Sequence, residues 1–303
     1  MLISSRISWP LVVIVTLTSC HRKLPDSDSS ARIKSIMEST HDPIKANGQV
    51  KHFDQVSLNS FITKVTFNTA GQVIREEKFD EKGIAGPCAT YKYDGRGNIL
   101  ETSLFHMNKP ISKTRNKFNS LNLLTESMET DPHGIIKKQK KFSLDSSGNL
   151  VISTYKIDHS QQEKMAEVIF DFQYHPIKRD TFSNGQLVQS DHSEYDEFGN
   201  RIGVVRQFPL KRDQQIFQYK YDKNNHLTEV ITADRNYIVQ SRVTYTYDKY
   251  DHLAGIFTYG TDGELRDVEK LTYQFDKNGN WIEKVIFQND EPVAVVVRNI
   301  EYY

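Results

Sequence analysis

Tyr91-Lys92-Tyr93-Asp94-Gly95-Arg96-Gly97-Asn98 and Tyr273-Gln274-Phe275-Asp276-Lys277-Asn278-Gly279-Asn280-Trp281 share one pattern. It runs aromatic, any residue, aromatic, Asp, two variable residues, Gly, Asn, apolar. Tyr219 to Leu227 and Tyr245 to Leu253 repeat it, with Asn225 and Asp251 in the Gly place and His226 and His252 in the Asn place. Phe142 to Leu150, with Asp145 and Gly148, and Ser193 to Arg201, with Asp196 and Gly199, are weaker copies. Val65 to Val73 and Asn116 to Leu124 keep Asn68 and Asn119 as anchors.

The anchors fall at 68, 94, 119, 145, 196, 222, 248 and 276, in steps of 26, 25, 26, 51, 26, 26 and 28. The step of 51 is two periods and predicts a degenerate copy near Asp171. Midway between anchors lies a second set of turn residues, among them Lys82-Gly83, Asp131-Pro132-His133-Gly134, Asn184-Gly185 and Asp262-Gly263. Two turns per period leave two segments of about 9–10 residues, and these alternate in the manner of strands. Leu253, Gly255, Phe257 and Tyr259 show the period of two. Asp or Asn caps such turns through its side chain, and Gly or Asn takes the positive-φ position. The repeat therefore predicts an all-β fold. About nine 26-residue hairpins form an antiparallel meander, some eighteen strands in one curled or spiralling, barrel-like sheet.

The units resemble the YD (RHS-type) repeats of bacterial surface and toxin-shell proteins, over about residues 60–290. The resemblance implies hairpins that continue one antiparallel sheet. This chain departs from the large toxin members: it is far shorter and has no complete self-cleavage core. Asp131-Pro132-His133-Gly134 shares the look of that core but falls at a mid-array turn, so it reads as turn chemistry. Trp281 to Tyr303 resembles the end of small repeat lipoproteins of Bacteroidetes.

Tyr91/Tyr93, Tyr219/Tyr221, Tyr245/Tyr247 and Tyr273/Phe275 sit two apart, so each pair faces one side of the sheet. They are expected to form an aromatic ladder, mostly inside the wrap. The composition fits a thin core: hydrophobic residues make up 37% of 303, below the 45–50% of an ordinary globular domain. Lys+Arg and Asp+Glu are both 39, so no net field draws nucleic acid.

The N-terminus reads as an address. Arg6 precedes a short apolar run, Trp9 to Leu17, too short to span a bilayer. Leu17-Thr18-Ser19-Cys20 resembles the lipobox of bacterial lipoproteins. The resemblance implies cleavage after residue 19, acylation of Cys20 and insertion of the acyl chains into a bilayer. His21, Arg22 and Lys23 give no inner-membrane retention signal and no acidic surface-export tag, so a periplasm-facing outer-membrane location is expected. An ordinary secretory signal is the alternative. Residues 20–55 are expected to be a tether, with Ala31 to Ser39 forming two helical turns, and 56–303 the repeat domain. With Cys20 acylated, Cys88 has no disulfide partner and reads as a small buried hydrophobe.

No catalytic constellation appears. Each Asp-x-x-Gly turn offers one carboxylate, fewer than a calcium loop needs. His226 and His252 occupy equivalent places about two strands apart and read as replacements for the turn Asn, so no metal or cofactor is expected. Lys137 to Lys141 reads as a solvated sheet edge. The expected function is a non-enzymatic envelope scaffold presenting its surface to a protein or glycan. The alternatives are a glycan hydrolase with carboxylates at the mouth of the wrap, or a small toxin-related shell.

Overall fold

The computed structural model describes residues 32–46, 49–56, 60–120, 122–158 and 161–303. The signal segment, the lipobox Leu17-Thr18-Ser19 and Cys20 lie outside the described residues. The described chain is almost entirely strand, with 21 strands in one antiparallel sheet and a single 3-10 turn at Pro209–Lys211.

Nine hairpins run in order from β3 (Ile62–Phe67) to the strand Trp281–Gln288, each paired with the next. The final strand, Glu291–Tyr302, pairs with β1 (Ile33–Ala46), and β1 pairs with β3. This closes a barrel of 20 strands. Closure is in phase: Ile36 pairs with Ile300 on one side and Val65 on the other. A slip of one residue would turn every side chain to the wrong face.

The segment expected as two turns of helix within a tether is instead β1, and residues 49–56 form β2 (Gln49–Val56). Ile33, Ile36 and Met37 suggest a helical stripe locally, but the ring has two unpaired edges. Pairing along both sides of β1 satisfies backbone groups that an isolated short helix would leave to solvent. β2 pairs with β1 from Val56↔His41 to Gln49↔Ala46, beyond the start of β3. The hairpin leans over the sheet: His52 lies 3.6 Å from Glu283 and its ring 4.9 Å from that of His41, above the fully covered Val295. Lys137 to Lys141 also departs from expectation. It lies in the strand Ile136–Leu144, which is paired on both sides and is no edge.

The curl has a local cause. In eight of the nine hairpins the register shifts beside the Asp/Asn turn, as between Lys92↔Glu101 and Tyr93↔Ile99. Such bulges bend and twist the strand that carries them. Twenty strands spaced about 4.8 Å apart have a perimeter of about 96 Å, a circle about 30 Å wide. Only eight apolar residues are buried among those described, far too few to fill such a ring, so the wall is one layer with two faces.

Candidate functional site

The Asp/Asn turns all lie at one end of the barrel, the near rim. In each, the anchor side chain holds the loop. Asp94 Oδ1 accepts from the amides of Arg96 at 2.8 Å and Asn98 at 2.9 Å, and Oδ2 accepts from Asn98 Nδ2 at 2.8 Å. Asp145, Asp196, Asp222, Asp248 and Asp276 repeat the two amide bonds, and Asp171 does so where the degenerate copy was expected. Hydrogen bonding to Asn98 holds the Asp94 carboxyl below the ordinary aspartate range, and the His226 amide does the same to Asp222. The fourth turn residue is left-handed throughout: Gly97, Gly148, Gly199 and Gly279, but also Asn225, Asp251 and Tyr174.

The second Tyr of the repeat has a job the sequence did not reveal. Its hydroxyl donates to the carbonyl at the bulge of the preceding hairpin: Tyr93 to Val73 at 2.6 Å, Tyr221 to Arg201 at 3.0 Å, Tyr247 to Leu227 at 2.9 Å. Tyr273 does likewise to Leu253 at 2.9 Å, through the first aromatic of its longer unit. The turn histidines stack on the next hairpin's Tyr, His175 on Tyr195 with centroids 4.7 Å apart and His226 on Tyr247 at 4.6 Å. His226 and His252 each sit beside their own turn Asp, at 3.0 and 3.4 Å. They act as rim cement and do not converge on one point. Asn98–Asn122 and Asn200–Asn225 amide contacts join neighbouring turns around the rim.

Register places every ladder residue, Tyr91 through Phe275, on one face. That face carries the ionisable groups that burial shifts most. Burial pushes Tyr91 and Tyr273 up to about 12, lowers Lys284, and with the nearby Asp267 raises Glu269. Side chains converge and shield one another on the concave side of a ring, so the tyrosine face is the inward one. On the other face, ionisation follows ion pairing. Glu229 is covered by Lys220 and Arg242, each 2.5 Å away, and is held low by them despite its small exposed area. Glu101 is held low in the same way, first by Lys92. Ser190 and Asp180 meet at 2.6 Å on this face. The outward wall is thus charged at mid-strand, unlike the apolar band about 25 Å tall that a lipid-spanning barrel needs.

The inward cluster at the closure is self-contained. Arg298 donates to Glu38 at 2.8 Å and lies 3.4 Å from the Trp281 ring centre, with Lys284 5.3 Å from it. Cys88 is only half-buried, and burial raises its thiol pKa, the opposite of an activated nucleophile. Asp131 caps its turn through His133 and Ile135, as its position in the array led us to expect.

What the turns do not explain is their exposed apolar side chains. On the near rim Phe172 is 86% and Phe198 71% exposed, with Tyr174 and Tyr250 also in solvent. On the far rim Tyr237 is 74% exposed beside Ile238, with Leu210 on the neighbouring turn and Met107, Ile84 and Ile135 exposed on turns further round. Tyr174 and Tyr237 both hold φ at 64°, where a bulky side chain is strained and their equivalents are mostly Gly.

No family model and no curated protein matches the chain. Solved structures that resemble it include a porin-like protein from Bacteroides uniformis, 8% identical over 89% of this chain and 97% of that one, with a TM-score of 0.30. A porin-like protein from Bacteroides vulgatus is 11% identical over 89% and 98%, also at 0.30. The TcdB2–TccC3–Cdc42 structure is 12% identical over 77% of this chain at a TM-score of 0.22, and this chain spans 19% of the one matched. At these values the likenesses carry no further argument.

Proposed function

We propose that the protein is a lipid-anchored envelope lipoprotein, held at the outer membrane through Cys20. In this reading it is a non-enzymatic scaffold that presents the far rim of its barrel to a protein partner. The carrying observation is Tyr237. Folding holds a large side chain in a left-handed turn position, almost wholly in water, where Gly would be unstrained. Strain of this kind persists where the side chain has a use outside the fold. Ile238 and, on the neighbouring turn, Leu210 extend Tyr237 into an apolar patch, and aliphatic groups around a Tyr suit a protein surface better than a glycan. Asp234 already accepts from the Asn236 and Ile238 amides, so the side chains of this turn are free to bind.

The test is a pull-down from envelope extract with the chain from residue 20 onward, which contains every strand of the barrel. One enriched protein, lost on Tyr237→Ser with Ile238→Ser, supports the reading. Equal recovery with that variant contradicts it. Cys20→Ala separately tests the anchor: release into the soluble fraction is expected, and retention in the membrane fraction rejects lipidation.

A further inference from the structure

We infer that the near rim is a membrane-docking surface, its Phe172, Tyr174, Phe198 and Tyr250 side chains seated in the lipid headgroup layer. The inference rests on the proposed lipidation of Cys20. The barrel chain starts at that rim: Arg32 donates to the Thr69 carbonyl at 2.9 Å and its own carbonyl accepts from the Tyr303 amide at 2.9 Å. Twelve residues from Cys20 to Arg32 reach at most about 43 Å. Bringing the far rim to the bilayer would need the tether to climb a wall of strands about 8–10 residues long, about 30 Å. The near rim meets the lipid without that climb.

The two rims also differ in chemistry. The far rim is mainly aliphatic, whereas the near rim exposes mainly Phe and Tyr, with Leu144 beside them. Aromatic rings favour the interface between headgroups and acyl chains. Lys249 lies 4.8 Å over the Tyr250 ring, its ammonium free to face phosphates while the ring sits lower. Tyr174 is strained at this rim as Tyr237 is at the other, so both ends display side chains at a conformational cost.

The test uses the chain from residue 20 with Cys20→Ser, so that no acyl chain contributes. It is sedimented with phosphatidylethanolamine–phosphatidylglycerol vesicles. Replacing Phe172, Tyr174, Phe198 and Tyr250 by Ser should lower the bound fraction at least tenfold. Replacing Leu210, Tyr237 and Ile238 by Ser should leave it unchanged. Near-rim variants that sediment like the parent, or equal loss from both rims, overturn the inference. A gain of signal guards against misfolding. Phe198→Trp should show emission quenched by brominated lipid, and Tyr237→Trp should not; the reverse order also overturns it. Failure of the anchor reading shows elsewhere, as wild-type protein with Cys20 intact found in the soluble fraction of cells.

Discussion

The Tyr247 hydroxyl donates to the Leu227 carbonyl at 2.9 Å, across the bulge of the hairpin before it. The bulge leaves backbone groups outside the regular ladder, and the hydroxyl satisfies one of them. The repeat therefore needs Tyr for its oxygen as well as its ring. Tyr247→Phe is expected to lower stability by about 1 kcal/mol, the net worth of one hydrogen bond. Urea denaturation reads it, and an unchanged midpoint would show the bond contributes nothing.

The turn chemistry separates two substitutions at one residue. Asn68 holds its turn as Asp94 does, accepting from the amides of Ala70 and Gln72 at 3.0 Å. Asp94→Asn, which keeps the accepting oxygen and loses the charge, should therefore lower the melting temperature less than Asp94→Ala, which loses both. Equal losses from the two would mean that charge, and not the oxygen's position, holds the loop.

Gly97 has φ of +90°, and a Cβ there would stand 3.2 Å from Gln72 Nε2. Gly97→Ala is expected to cost about 1–2 kcal/mol, mostly from the backbone, since the Gln72 side chain can move. A thermal melt matching wild type would contradict the left-handed assignment.

Acid should loosen the whole near rim. Folding lowers the pKa of Asp94, Asp145 and Asp222, so their stabilising effect is complete above the ordinary aspartate value of about 4. It is lost as pH falls through the lowered values. The melting temperature should hold from pH 7 to 5 and drop below pH 4. At the other extreme Tyr91 and Tyr273, raised to about 12, favour the fold below pH 10 and lose that contribution above about 12. Phenolate absorbance with all tyrosines titrating near 10 would contradict their burial.

Tyr245 and Tyr247 are half-buried on the inward face. Replacing both by Ala should cost about 3 kcal/mol, roughly half of what two fully buried rings would lose. An unchanged melting curve would place them on an open surface.

The hairpins were legible because one turn recurs: a five-residue loop with one side-chain cap and one left-handed residue leaves little freedom, and even Asp171 was found by spacing alone. Closure was not. The bulges that curl the sheet leave carbonyls that are bonded from the next hairpin, as Leu227 is by Tyr247 20 residues on, and β1 is a strand only because Ile300 and Val65 flank Ile36. The exposed rims were also hidden. Tyr174 and Tyr237 stand where their equivalents are mostly Gly, and only their φ values and exposure show that the left-handed turn is kept there with a bulky side chain in solvent.

The orientation and use of the two rims can be read together in cells. A photo-crosslinking amino acid is placed at residue 237 or at residue 198 of the anchored protein. The account predicts one discrete protein adduct from 237, and lipid adducts without a protein band from 198. A protein adduct from 198 with none from 237 would contradict it.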